Sequence, residues 1–382
     1  MTSRALHFVL AAGGTGGHMV PADVLGQALR ARGHHVALVT DDRGLKYPGL
    51  FDGVPRHVIP ASTLSGGPLG WIRAWKTIRE GREAATRLYE SFRPAVVVGF
   101  GGYPVLPAML AARKMKIATV IHEQNSVLGR VNRMLAGKVD IIATAYADVK
   151  RLSRGHLEKT SLVGNPVRAD VLALRDAPYP ALDEDGVFRV LVVGGSQGAT
   201  VLSDVVPEGL GLLPPNFRSR LQVTQQCRAE DIERVRDAYA GLGIPAECAT
   251  YLQDLPQRLA WAHLVIARSG ASTVAELTTA GRPAILVPFA AATDDHQTSN
   301  AREMVGAGGA RMIPQKHFTS VELAKQMQKL GLEPRALANA AARARSVGLP
   351  NAAERLGDLV EELGYARIGL AHEHREHERV DA

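Results

Sequence analysis

Two patterns of apolar residues alternate along the chain. Short aliphatic runs recur as ALHFVLAA, HVALVTD, AVVVGF, ATVIHE, IIATA, TSLVG, FRVLVVGG, RLQVTQQ, HLVIARS and PAILVPF. Between most of them lie longer stretches in which apolar residues return every three or four positions, as on one face of a helix. Strands that alternate with helices predict parallel sheets with crossover connections, the α/β class.

The pattern also repeats. FVLAAGGTGGHMVPA has a partner in VLVVGGSQGATVLSD, which sets Gly13 against Gly194. Each is an apolar strand, a glycine turn and a helix start, so the chain reads as two Rossmann-like domains with parallel sheets facing across a cleft. The segment 165–188 is rich in Pro and Asp and lacks strand periodicity, which marks it as a linker. The polar tail 371–382 reads as a solvated terminus.

Length and composition agree with two soluble domains: 382 residues, 46% hydrophobic and 22% charged. Cys227 and Cys248 have no metal-ligand spacing, which argues against a zinc site or disulfide framework and fits a reducing cytosol. The apolar run at the start is too short for a signal peptide, and none approaches the roughly 20 residues of a spanning helix. The net charge of +7 is unevenly spread. Residues 1–164 carry 22 Lys and Arg against 11 Asp and Glu, and the remainder 23 against 27. A basic first half implies an anionic surface as partner; no nucleic-acid motif accompanies it, so lipid head groups are expected and nucleic acid is not.

The glycine turns carry the first candidate chemistry. A strand that ends in GGTGGH and opens a helix can bring backbone N–H groups and the positive helix end close to a phosphate. Pro21 fits the first helical turn and Gly33 the helix stop. A tight turn without a ligand has the same spelling. Dinucleotide binding is a further alternative, because Asp41 and Asp42 close the next strand, where a ribose-binding acid belongs. The fingerprint fails, however: Met19 stands where the third Gly or Ala is needed. His18 lies where the helix end disfavours a protonated ring, so a neutral imidazole could serve as general base or as hydrogen-bond donor to a phosphate.

Further polar clusters follow other strands: GFGGYP at 99–104, HEQN at 122–125, GNPVR at 164–168, RSGASTVAEL at 268–277 and DDHQTSNA at 294–301. In open α/β sheets ligands bind beyond the carboxyl ends of the strands, so these clusters share a rim. Glu276 suits a ribose diol. It is equally the last residue of a capping box begun by Thr273. DED at 183–185 lies in the linker, and neither a metal nor a cofactor is expected.

A helical pattern at 69–92 places Trp71, Ile72, Trp75 and Ile78 within about 120° of one another, with Arg73, Lys76, Arg79 and Arg82 around them. Such a face either packs on a core or dips into a lipid interface; the charge of this half favours the interface.

Taken in order, these motifs closely resemble the MurG family of bacterial N-acetylglucosaminyltransferases, glycosyltransferase family 28, over almost the whole chain. The resemblance implies the GT-B fold and an inverting transfer of GlcNAc from UDP-GlcNAc to undecaprenyl-pyrophosphoryl-MurNAc-pentapeptide (lipid I), giving lipid II for peptidoglycan. It implies an acceptor- and membrane-facing domain over 1–164, on which a C-terminal helix at about 346–382 packs back, and a UDP-GlcNAc domain over 165–345. Carried over by position, Thr15, Gly16, Gly17, Asn125, Arg168, Ser196, Leu252, Gln297 and the run Ala271, Ser272, Thr273, Val274, Ala275 and Glu276 bind the donor. Leu252 meets the uracil through its backbone, and His296 competes with Gln297 for the sugar. Gly14, His18 and Tyr103 belong to the acceptor side, with His18 or Glu123 as catalytic base. Implied partners are UDP-GlcNAc, lipid I, an anionic lipid surface and other cell-wall synthesis proteins, at the cytoplasmic face of the inner membrane. A UDP-GlcNAc 2-epimerase or a glycolipid synthase using diacylglycerol fits the same layout, and an NAD-binding dehydrogenase is the alternative from another class.

Overall fold

The computed structural model describes residues 4–47, 49–62, 67–183, 185–195, 198–331 and 334–380. For residues 68, 69, 331, 334 and 370–380 the backbone alone is described. The strands are β1 His7–Ala11, β2 His35–Thr40, β3 Arg56–Val58, β4 Val96–Gly99, β5 Ala118–Glu123, β6 Ile141–Thr144 and β7 Thr160–Leu162, then β8 Phe188–Val193, β9 Leu221–Gln226, β10 Ala246–Ala249, β11 Leu264–Ala267, β12 Ala284–Leu286 and β13 Ala310–Met312. The helices are α1 Gly16–Ala31, α2 Gly67–Phe92, α3 Val105–Lys114, α4 Arg130–Leu135, α5 Ala169–Leu172, α6 Thr200–Gly211 and α7 Pro215–Arg218, then α8 Ile232–Gly241, α9 Leu255–Trp261, α10 Ala271–Ala280, α11 His296–Gly306, α12 Ser320–Gly331, α13 Pro334–Ser346 and α14 Ala352–Val380.

The chain forms two compact units, one from residues 1–166 and 351–382, the other from 167–350. In the first, a seven-stranded parallel sheet has the order β3-β2-β1-β4-β5-β6-β7. In the second, six parallel strands run β10-β9-β8-β11-β12-β13. Both are doubly wound α/β sheets, as the alternating pattern predicts.

The pleat sends successive residues of β1 to opposite layers. Phe8 and Leu10 pack with α1 and α14, through Leu25, Leu29, Leu356 and Val360. Val9 and Ala11 pack with α2 and α3, through Ile78, Ala108 and Met109. The second unit repeats this arrangement: Val190 and Val192 face Leu202 and Val206 of α6, while Leu191 and Val193 face Val274 and Leu277 of α10. Strands buried on both sides are continuously apolar, which is why the aliphatic runs read so clearly.

Two local expectations are corrected. From Val167 onward the segment 165–188 is part of the second unit: Val167 and Val171 are buried in its core, and Tyr179 Oη donates to the His263 carbonyl at 2.6 Å. Two apolar residues among Pro and Asp make no period, so their burial left no pattern. At the other end, helix continues to Val380, through the polar tail.

Gly33 ends α1 as expected, with φ at +86°. Its N–H donates to the Arg30 carbonyl and that of His34 to the Leu29 carbonyl, the paired bonds of a Schellman stop. Pro21, by contrast, sits inside α1 rather than in its first turn, because the helix already begins at Gly16. On either side of Gly33, Arg32 pairs with Asp358 at 2.8 Å and Glu361 at 2.5 Å, and His34 also bonds to Glu361. These contacts fix α14 to the first unit.

Candidate active site

In the first unit the strand order reverses between β1 and β4, the place where open sheets leave a crevice. Both adjoining loops are glycine-rich, and they interlock. Gly101 and Gly102 follow β4 with φ of +100° and +85°. A Cβ on Gly101 would stand 2.9 Å from the His18 ring, and one on Gly102 would stand 2.4 Å from the Gly13 carbonyl oxygen. Glycine is required there by left-handed backbone and close approach together.

Thr15 caps α1 in extended conformation, so Gly16, Gly17 and His18 are its first three residues. The amides of Gly16 and Gly17 have no acceptor within the helix, whereas that of His18 donates to the Thr15 carbonyl at 3.0 Å. His18 Nδ1 donates to the Gly13 carbonyl at 2.9 Å, with Thr15 Oγ1 at 3.4 Å. That bond fixes the neutral tautomer and makes Nε2 the basic nitrogen. The Gly14 amide is engaged differently, donating to Asp41 Oδ1 at 3.3 Å. Asp41 also accepts from the Gly44 amide, so the acid that a dinucleotide site would turn toward a ribose instead closes the loop. Tyr103 is exposed beside this turn.

The HEQN cluster ends β5. Glu123 is 2% exposed. Its Oε1 accepts from the amide and side chain of Asn125, and its Oε2 from the Gly129 amide at 2.8 Å and Asn132 Nδ2 at 2.9 Å. A carboxylate so occupied shapes the loop that carries Asn125. His122 is fully buried; Nε2 donates to the Gly164 carbonyl at 2.9 Å and Nδ1 accepts from Gln124. Burial pushes its pKa down to about 4.

In the second unit the reversal falls between β8 and β11, and the loops after both strands again carry predicted residues. Gly270 caps α10, which makes Ala271, Ser272 and Thr273 its first turn. The capping box therefore does not form: Glu276 is the sixth helical residue, too far along to reach the cap. Its carboxylate instead accepts from Arg168 Nη2 at 2.7 Å and Nε at 3.2 Å. Val274 faces the core, and Ala275 is half-buried. The buried hydroxyls of Ser269 and Ser272 have no protein partner among the described residues. The Leu252 side chain is buried in the core, which leaves its backbone for any ligand. Gln297 Oε1 accepts from the Phe289 amide at 2.9 Å, whereas His296 Nδ1 donates to the Thr293 carbonyl of its own turn. Just before them, Asp294 and Asp295 hold φ of +58° and +52°, a left-handed pair that costs about 1–3 kcal/mol per residue. Ser196 lies outside the described residues.

The sequence matches the glycosyltransferase family 28 N-terminal domain over residues 8–144 and the corresponding C-terminal domain over 189–356. The chain belongs to glycosyltransferase family 28. The relative from Zymomonas mobilis is 64% identical over 94% of this chain and 92% of its own length, and that from Erythrobacter litoralis 60% over 96% and 92%. Both are named UDP-N-acetylglucosamine–N-acetylmuramyl-(pentapeptide) pyrophosphoryl-undecaprenol N-acetylglucosamine transferase. Among solved structures, MurG of Acinetobacter baumannii superposes with a TM-score of 0.73 at 27% identity, covering 94% of this chain and 99% of that one.

One face of this family 28 chain needs correction. Trp71, Ile72 and Trp75 of α2 are 51%, 66% and 50% exposed, and Arg79 is exposed beside them. Ile78 is 2% exposed and packs in the core with Ala85 and Tyr89. The broad apolar arc is two adjoining surfaces, and Ile78 belongs to the inner one. Among the described residues, no helix is long and apolar enough to cross a membrane.

Sequence reasoning also passed over Arg268 and Arg43. Arg268 is buried, donates to the Val287 and Pro288 carbonyls and stacks on Phe289, which holds the loop before Gln297. Arg43 adjoins Gly14. Both are single arginines in loops, with no spacing signal; only adjacency to a known motif in space reveals them.

Proposed function

We infer that this chain carries out the reaction for which its relatives are named: transfer of GlcNAc from UDP-GlcNAc to lipid I, giving lipid II for peptidoglycan synthesis. The observation that carries the inference is the 64% identity over 94% of the chain to a relative named for that transfer. The second unit takes the donor. Arg168 and Glu276 hold the ribose and diphosphate side, residues 271–276 line the nucleotide, the Leu252 backbone meets the uracil and Gln297 holds sugar hydroxyls, with Ser196 as a further donor contact. The first unit takes the acceptor at Gly14, His18 and Tyr103.

Inverting displacement needs a base at the acceptor hydroxyl and stabilisation of the departing diphosphate. His18, tautomer fixed by the Gly13 carbonyl, supplies the base. Helix N-terminal amides and Arg168 supply the stabilisation. The enzyme sits peripherally on the cytoplasmic face of the inner membrane. Trp71, Ile72 and Trp75 enter the interface, and Arg73, Lys76 and Arg79 meet anionic head groups. Other cell-wall synthesis proteins are further partners.

Labelled UDP-GlcNAc offered with lipid I, with diacylglycerol or with no acceptor tests the reading. A labelled lipid-linked disaccharide from lipid I alone is expected. A labelled glycosyl diacylglycerol, or an epimerised nucleotide sugar without acceptor, would overturn it.

A further inference from the structure

We propose that Arg43 binds the diphosphate of the acceptor, an assignment that rests on the transfer proposed above. Arg43 belongs to the loop after β2, the strand beside β1, and its side chain is 53% exposed. Nη2 lies 3.4 Å from where a Cβ on Gly14 would stand, so the guanidinium lies against the first glycine turn.

Three contacts hold it there. Nε and Nη2 both donate to Asp41 Oδ2, at 3.2 and 2.9 Å. The other oxygen of Asp41 accepts from the amides of Gly14 and Gly44, so the same carboxylate ties the guanidinium to the turn. The ring of Tyr103, from the glycine loop after β4, supports the cation at 5.6 Å. A side chain positioned in this way loses little freedom on meeting an anion, and its planar fork suits two phosphate oxygens. Asp41 is divided among four donors, so its charge offsets the guanidinium only in part.

The second unit repeats the device. Arg228 lies in the loop after β9, which stands to β8 as β2 stands to β1. Its Cγ is 2.6 Å from where a Cβ on Gly198 would stand, its Nη1 donates to Thr200 Oγ1 at 3.0 Å, and it pairs with Glu230. Each glycine turn thus has an arginine from the neighbouring strand's loop, held by an acid two residues away. The reaction likewise involves two diphosphates, one on each substrate. The one proposed for the first unit is the acceptor's.

Phosphate chemistry is shared by the acceptor and by lipid head groups, and the test separates them. Initial rates are measured for wild type, Arg43→Gln and Arg43→Lys with lipid I and with an analogue whose diphosphate is replaced by an uncharged linker. Vesicle binding is measured alongside. Arg43→Gln should raise KM for lipid I about tenfold or more, with Arg43→Lys in between, while KM for UDP-GlcNAc, the unfolding temperature and binding to anionic vesicles stay as in wild type. On the uncharged analogue the variants and wild type should be alike. An unchanged KM for lipid I, an equal loss on both acceptors, or a loss explained by weaker vesicle binding would overturn the assignment. Failure of wild type itself to glycosylate lipid I would instead refute the transfer reading, and the assignment with it.

Discussion

Arg168 and Glu276 are 108 residues apart in the chain, and their side chains meet at 2.7 Å at the second turn of α10. If this pair receives the nucleotide, each partner orients the other. Glu276→Ala and Arg168→Ala should each raise KM for UDP-GlcNAc about tenfold or more, and the double variant should lose less than the product of the two. Strictly multiplicative losses would show that the pair does not act as a unit.

Gly102→Ala places a methyl 2.4 Å from the Gly13 carbonyl oxygen, at a φ of +85°. It should cost roughly 1–3 kcal/mol in stability and lower turnover at least tenfold, because the carbonyl it displaces holds His18. Gly241→Ala, in helical backbone with open space around it, should change the unfolding free energy little or raise it. Thermal unfolding with initial rates separates the two.

His18→Ala should reduce kcat by about 100-fold or more while leaving UDP affinity unchanged. Single-turnover rates at saturating substrates, with UDP titration, give both values. Turnover near wild type would remove His18 as base.

On α2, Trp71→Glu combined with Trp75→Glu should weaken binding to anionic vesicles and leave the unfolding temperature almost unchanged. Ile78→Ala should do the reverse, keeping vesicle affinity but costing about 2–5 kcal/mol, since its side chain fills the core. Vesicle sedimentation and denaturant unfolding distinguish the two surfaces.

His122 predicts an acid limb in the stability profile. Burial lowers its folded pKa to about 4, below its unfolded value, so folded protein binds the proton less readily. The neutral ring's stabilisation is present above pH 6.5 and is lost as pH falls toward 4, up to about 3 kcal/mol for this one group. His122→Gln should flatten that part of the unfolding free energy between pH 6.5 and 4. An unchanged slope would assign the limb to other groups.

Ten strands were legible as aliphatic runs, and the three missed, β3, β10 and β13, all lie at sheet edges. An edge strand is short and half solvated. RHV, AECA and ARM therefore show no apolar run. The motif loops were legible because glycine spacing is stereochemical. Glu123 has two readings in sequence, because a carboxylate at a strand end is spelled the same whether it serves a substrate or, as its contacts here show, accepts from Asn125, Gly129 and Asn132. Arg168 and Glu276 could each be singled out from local motifs, but their pairing depends on the fold.

The helix α14 makes the first unit discontinuous in the gene. Phe8, Leu10, Val96 and Val98 share one face of the sheet with Leu356 and Val360, which the ribosome adds only after the entire second unit. Until then the nascent sheet has α1 on that face and bare aliphatic surface beside it, a substrate for holding chaperones. A message cut short before α14 would yield a second unit of full length joined to a first that aggregates. Production of active enzyme is thereby tied to completion of translation.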